Sequence, residues 1–248
     1  MLADDALSIL EAPVELRLFG CWDLRSRAAG SIELGRREQR LVALLALRGR
    51  RPRSQIAGTL WPDTTDERAL TSLRSAILRI RRSAGDLLLV GRSTLALADH
   101  VRVDVQEMVR CAADVEWETA GDPRHRLAML RTADLLPGWY EDWVVFERER
   151  LQFLRLRALE EVARSALADG HHDLALTAAL DVIAVEPLRE SAHAIAIRAH
   201  LLAGNRPGAV LEYQDYRRHL EQVLAIPPSR EMDELLEPLL LPHPRQTR

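Results

Sequence analysis

From Val103 to Leu240 the apolar residues recur at helical spacing almost without a break, which commits more than half of the 248 residues to helix. The period predicts helices near residues 104–117, 123–135, 146–168, 174–185, 189–202, 207–224 and 230–240. Short turns separate them at Gly121-Asp122-Pro123, Gly170-His171-His172, Glu186-Pro187 and Gly204-Asn205-Arg206-Pro207. Helices of this length joined by turns this short must fold back as antiparallel pairs.

Two of these turns are related. Ala168-Asp-Gly-His-His-Asp-Leu-Ala175 and Leu202-Ala-Gly-Asn-Arg-Pro-Gly-Ala209 align at an offset of 34, the tetratricopeptide period. Ala163, Ala175 and Pro187 follow each other at intervals of 12, as the small residues and terminal proline of that repeat do. Ala209 departs from the pattern, because its helix runs past Glu221 to Pro227-Pro228. Two fair repeats and a degenerate upstream one are expected, with a plain helical bundle as the open alternative.

The first hundred residues read differently. Val14-Glu-Leu-Arg-Leu-Phe19 alternates apolar and charged side chains as a half-buried strand does. Gly20 interrupts it, and short strands are expected at 22–25 and 31–34. A helix follows over 37–48, then a short one over 55–60 with Ser54 as its N-cap, then one over 67–82 capped by Asp66. After Gly85, two apolar runs at 87–90 and 94–98 flank Gly91-Arg92-Ser93 as a hairpin. Strands, three helices and a hairpin in this order describe a winged helix-turn-helix with an added N-terminal sheet. The expected fold is therefore mainly α. An N-terminal α+β winged helix-turn-helix with a small antiparallel sheet precedes an all-α, tetratricopeptide-like domain. The expected boundaries are an extension at 1–13, the winged helix at 14–103 and the helical domain at 104–248.

Charge is unevenly spread. The formal net charge is −3, yet residues 36–82 hold 12 Arg against Glu38, Asp63, Asp66 and Glu67, a surplus of +8. Such a surplus suits a polyanion, although a solvated basic face is the plainer reading. The chain has no lysine, so every long basic contact is a planar, forked guanidinium. On a helical wheel of 67–82, Leu70, Leu73, Ile77 and Ile80 share one side and must face the core. Arg68, Thr71, Ser75, Leu78 and Arg82 lie opposite, flanked by Ser72 and Arg79 on one side and by Arg74 and Arg81 on the other. This face suits a major groove: guanidinium forks pair with guanine, hydroxyls take either partner, and an aliphatic group meets a thymine methyl. Arg79 and Arg82 are the strongest candidates for base or backbone contact. Arg36, Arg37, Arg51, Arg53 and the hairpin Arg92 read as phosphate contacts, which position without specifying.

Several function classes lack their signatures. No glycine-rich phosphate loop, Gly-x-Ser-x-Gly or His-Glu-x-x-His occurs, so no enzyme and no cofactor is expected. Cys21 and Cys111 are far apart and in no metal-ligand spacing, as suits a reducing compartment. His171, His172 and Asp173 read as a solvated turn, and His193 and His200 as surface or core. Trp139, Tyr140 and Trp143 are either core or a protein-binding surface. No apolar run is long enough to span a membrane, and Met1–Pro13 is not patterned as a secretory leader. The alternative to a DNA-reading protein is a helical-repeat scaffold whose winged helix docks protein.

Four stretches in the first half now carry a resemblance: Val14-Glu-Leu-Arg-Leu-Phe-Gly20, Arg36-Arg-Glu-Gln-Arg-Leu-Val-Ala-Leu-Leu-Ala46, Leu60-Trp-Pro-Asp63 and Leu73-Arg-Ser-Ala-Ile-Leu-Arg-Ile-Arg-Arg82. Further on stand Pro137-Gly-Trp-Tyr-Glu-Asp-Trp143, Phe146-Glu-Arg-Glu-Arg-Leu151, Glu186-Pro-Leu-Arg-Glu190 and Pro227-Pro-Ser-Arg-Glu231. In this order they resemble the Streptomyces antibiotic regulatory protein (SARP) family, an OmpR-type winged helix followed by a bacterial transcriptional activator domain. The resemblance runs from about Val14 to Leu240 and matches the short members without ATPase or sensor modules. It implies a cytoplasmic, nucleoid-associated activator that binds direct repeats in double-stranded DNA, with two protomers on the DNA, and recruits RNA polymerase. It also implies that the loop bearing Trp61, Asp63, Asp66 and Glu67 touches the polymerase. On the residues alone, Trp61 as core and the acids as helix caps is equally open.

Overall fold

The computed structural model describes residues 14–28, 30–113 and 122–240; the expected extension at 1–13 lies outside them. These residues fall into two compact units. One lies within Met1–Arg110 and Thr132–Leu151, the other within Cys111–Arg131 and Gln152–Arg248. Residues 132–151, expected with the helical domain, thus sit in the first unit.

The first unit opens with β1 (Val14–Arg17), β2 (Asp23–Ser26) and β3 (Gly30–Ser31), then α1 (Arg36–Arg48), β4 (Arg51–Pro52), α2 (Arg53–Leu60) and α3 (Asp66–Ala84). The β5 (Leu88–Val90)–β6 (Thr94–Leu97) hairpin, β7 (Val101–Val103) and the start of α4 (Asp104–Ala113) follow. In β1, Val14 and Leu16 are buried while Glu15 and Arg17 are exposed, the alternation its sequence predicts. One sheet has the order β3-β2-β1-β7. Its outer member β7 runs parallel to β1, Val14 opposite Val101 and Leu16 opposite Val103, a pairing too short and too distant in sequence to leave a pattern. The second sheet, β4-β6-β5, ties the hairpin to the start of α2.

Neither expected N-cap is one. Pro52 precedes α2 and Thr65 precedes α3, both with extended backbone and neither making a side-chain cap bond. The first amide of α2 is satisfied from elsewhere, Arg53 N donating to Ser93 O at 2.9 Å. Ser54 and Asp66 are instead helical residues. Leu41, Leu44, Leu45, Ile56, Leu60, Leu73, Ile80 and Leu87 fill the core, each contributing about 1.5–3 kcal/mol by leaving water.

Where β1 ends, the chain is held by side chain and by loop. The Asp104 carboxylate accepts from Leu18 N and Phe19 N, each at 2.9 Å, and from Val105 N at 2.7 Å. Leu136 N donates to Leu18 O at 2.8 Å and Gly20 N to Asp134 O at 2.9 Å. These bonds explain why the helix expected over 123–135 stops early. Its last residues bond to the continuation of β1, and Leu136 is left-handed at φ 44, which no α-helix continues.

The second unit holds α5 (Pro123–Leu130), the part of α6 (Asp142–Ala168) after Leu151, α7 (His172–Ile183), α8 (Glu190–Leu202), α9 (Arg206–Leu224) and α10 (Arg230–Leu240). The helix expected over 104–117 is described as far as Ala113. Asp122 caps α5 by accepting from Arg124 N at 2.9 Å, with Pro123 in the first turn. The 34-residue offset reappears in the backbone. His171 N donates to Ala166 O and Asn205 N to His200 O, both at 2.8 Å, and Gly170 N to Leu167 O is matched by Gly204 N to Leu201 O. Both glycines are left-handed, at φ 79 and 75, which is why that position is glycine in each turn. Ala175 and Ala209, one turn later, are fully buried, so the following helices pack closely. No described helix is long and apolar enough to cross a membrane.

Candidate nucleic-acid interface

Helix α3 has an apolar side and a basic, polar side. Ala69, Leu73, Ala76, Ile77 and Ile80 are buried against the core, with α1 and α2 packed beside them. Leu70, expected in that stripe, is only half-buried; the small Ala69 and Ala76 stand at the close approach instead. On the outside, Arg68, Thr71, Arg74, Ser75, Leu78, Arg79, Arg81 and Arg82 are all exposed and Ser72 is half-buried. Leu78 is 56% exposed, an aliphatic side chain surrounded by guanidinium groups.

This face carries five arginines and little to neutralise them. Among the described residues, Arg68, Arg74, Arg81 and Arg82 form no ion pair, and Arg79 alone meets an acid, the buried Glu38 of α1, with Nη1 3.4 Å from Oε1. The hydroxyls of Thr71 and Ser75 donate to the carbonyls of Glu67 and Thr71, at 2.9 and 3.1 Å. Their oxygens are therefore left to face outward as acceptors, a narrower role than the sequence allows.

The five arginines read as phosphate contacts divide. Arg37 and Arg92 are exposed and carry no ion pair among the described residues. Arg51 donates to Arg50 O at 3.0 Å. Arg53 is bound into the fold, its Nη2 donating to Gly91 O at 3.1 Å, so it fixes the hairpin turn to the start of α2. Arg36 lies 3.7 Å over the Trp139 ring and 3.5 Å from Glu141. Trp139 stacks in turn on Trp22 at 6.0 Å. Nothing local to Arg36 announces these partners, since Glu141 lies 105 residues further on and Trp139 just before it.

In the loop before α3, Trp61 is half-buried and Asp63, Asp66 and Glu67 are exposed. Thr64 closes the turn onto Trp61 O through both its amide and its hydroxyl. Trp139 and Trp143 are buried, whereas Tyr140 is 83% exposed. His171 is exposed and His172 half-buried, and no cluster that would hold a metal occurs among the described residues. His193 is buried between Glu212 Oε1 at 2.7 Å and Pro187 O at 2.9 Å, with its ring against Tyr216. It is a structural residue of the second unit.

Residues 103–240 match the family model described as the bacterial transcriptional activator domain. Over 88% of its length the chain is 27% identical to the regulatory protein AfsR of Streptomyces coelicolor, and over 86% it is 27% identical to AfsR of Streptomyces griseus. It spans 23% of the length of each of these relatives. Its fold is similar to that of Mycobacterium tuberculosis EmbR, solved in complex with a low affinity phosphopeptide. The TM-score is 0.71 at 18% identity, over 92% of this chain and 65% of that one. The order of strands, three helices and hairpin followed by helical repeats bears out the SARP resemblance, and with more than half its residues inside the matched region the chain belongs to the bacterial transcriptional activator domain family of transcription regulators.

Proposed function

We propose that this chain is a sequence-specific DNA-binding regulator, an activator that reads direct repeats in double-stranded DNA with two protomers and contacts RNA polymerase. Residues 14–103 carry its DNA-reading part and the helical repeats from Gln152 onward its protein contacts, and it works in the cytoplasm on the nucleoid. The observation that carries the reading is the outer face of α3, where four exposed arginines stand without an acid partner among the described residues, around an exposed leucine. A major groove supplies what that face lacks: guanine O6 and N7 for the forks, donors for the outward hydroxyl oxygens, and a thymine methyl for Leu78. Arg37 and Arg92 fit phosphate or wing contacts; Arg36, Arg51 and Arg53 would reach phosphate only by keeping or exchanging the partners they already have.

The test is a gel shift on a duplex selected by the protein from a randomised pool. If about six phosphates are neutralised, log Kd should rise with log salt with a slope near 5. A Kd unchanged across the titration overturns the reading. For the polymerase contact, Asp63→Ala should leave duplex binding intact while transcription from a dependent promoter falls. Loss of both together would make the loop part of the fold and not a contact.

A further inference from the structure

Glu38 is the third residue of α1, and its side chain is only 5% exposed. A carboxylate withdrawn from water needs compensation. The start of a helix supplies part, since its free amides favour a negative group there. The only charged partner among the described residues is Arg79, itself 62% exposed, and an ion pair so open to solvent returns little stability. The carboxylate is also confined on its other side. A Cβ built on Gly35 would lie 2.5 Å from Glu38 Oε2, so that oxygen occupies the space any larger residue would need. One oxygen rests against the turn before α1, and the other reaches across to α3.

The consequence falls on Arg79. A guanidinium carries five N–H donors in a rigid plane. With Nη1 turned to Glu38, its Nε–Nη2 edge takes no hydrogen bond among the described residues. That edge is one of the two forks that match guanine O6 and N7. A free arginine would have to be ordered on binding; one whose Nη1 already meets a carboxylate has less of that ordering left to do.

We infer that Glu38 is a positioning residue for base reading: it fixes Arg79 so that its Nε–Nη2 edge is presented to a guanine in the major groove. This rests on the DNA-reading function proposed above. Gly35 belongs to the same device, because a side chain there would push Glu38 away from Arg79.

The duplex that wild-type protein selects from a randomised pool, and each of its single-base variants, serve as probes. Kd is measured for wild type, E38Q, R79A, the E38Q/R79A double variant and G35A, with a thermal melt of each. E38Q keeps the shape of the buried group and removes its charge. R79A should flatten the preference at one G·C pair by about tenfold or more. E38Q should flatten that same pair and no other, and the double variant should be no flatter than R79A. G35A should weaken the same pair, and binding to random duplex should stay within about twofold of wild type for E38Q. E38D, which keeps the charge but withdraws it by one methylene, reads the same position independently should E38Q not fold. If R79A flattens a pair that E38Q and E38D leave at wild-type preference, the positioning role is wrong while DNA reading stands. If E38Q lowers affinity for every duplex in parallel with its melting temperature, Glu38 acts only in folding and the inference fails. If wild type enriches no sequence from the pool, the DNA-reading function itself fails.

Discussion

The arginines on the outer face of α3 and the five acid-paired arginines of the helical repeats are the same residue put to opposite uses. In the second unit five guanidinium groups are tied to acids. Arg131 meets Asp181 through two nitrogens, Arg164 meets Glu160 and Glu161, Arg189 meets Glu160 and Glu186, Arg218 meets Asp215 and Arg230 meets Glu234. On α3, by contrast, Arg68, Arg74, Arg81 and Arg82 have none among the described residues. Paired arginines hold a fold's charges in balance and have little left to give a partner. Unpaired ones on a rigid helix repel one another mildly and wait for an external anion. Charge surplus in the sequence is therefore informative only once pairing is known.

This contrast is broken most directly by exchanging sites. Replacing Arg81 and Arg82 together by alanine should weaken binding to the selected duplex by about 100-fold and lower the salt slope by about 2. Arg164→Ala with Arg218→Ala, the same change of charge in the paired set, should leave duplex affinity within about twofold. Equal losses from both pairs would mean that only net charge matters, and the distinction drawn between the two regions would fall.

Stability should answer in the other sense. Arg189→Ala strips one cation from Glu160, whose side chain is 9% exposed, and should cost about 1–3 kcal/mol in denaturant unfolding. Arg82→Ala, on the open face of α3, should stay within about 0.5 kcal/mol. Against both, Leu73→Ala sets the scale of a true core loss in the first unit, about 2–5 kcal/mol. If Arg82→Ala proved as costly as Arg189→Ala, an intramolecular partner for Arg82 would have to exist, and its availability to DNA would be in doubt.

Much of this could be read before any coordinates, and most of what could not has a common cause. The two faces of α3 follow from a period of 3.6, and Leu73, Ile77 and Ile80 fall where that period puts them. The turn repeat follows from identical local bonding at Gly170 and Gly204. The displaced N-caps of α2 and α3 and the half-buried Leu70 are local misses; the others involve a partner far along the chain. Glu38 and Arg79 are 41 residues apart, and Leu18 meets the Asp104 carboxylate across 86. The parallel strand β7 leaves only three residues of pattern. Residues 131–135 read as the end of a helix because nothing local to them announces that the chain beside Leu18 and Gly20 takes up backbone groups there. Local period and turn chemistry are written into a sequence, whereas pairing across it is not, and the candidate site depends on both.

The smallest expected effect again sets the repeats apart. Of the three tyrosines, Tyr140 stands exposed in the first unit, while Tyr213 and Tyr216 in the second donate to Asp233 and Glu190. Burial, then the bond to Asp233, pushes Tyr213 up to about 12, and burial with the bond to Glu190 pushes Tyr216 up as well. A phenol that holds its proton more tightly when folded stabilises the fold fully below its unfolded value near 10. That contribution fades as pH rises from about 10 towards 12, since the unfolded chain ionises first. Chemical unfolding followed with rising pH should therefore show the second unit weakening in this window. Tyr213→Phe and Tyr216→Phe, less stable at neutral pH for want of the bond, should each flatten that decline, and Tyr140→Phe should leave it alone. A decline of equal steepness in all three variants would place the alkaline loss in the arginine pairs or the backbone, and the phenol–carboxylate bonds would then carry no part of what separates the two regions.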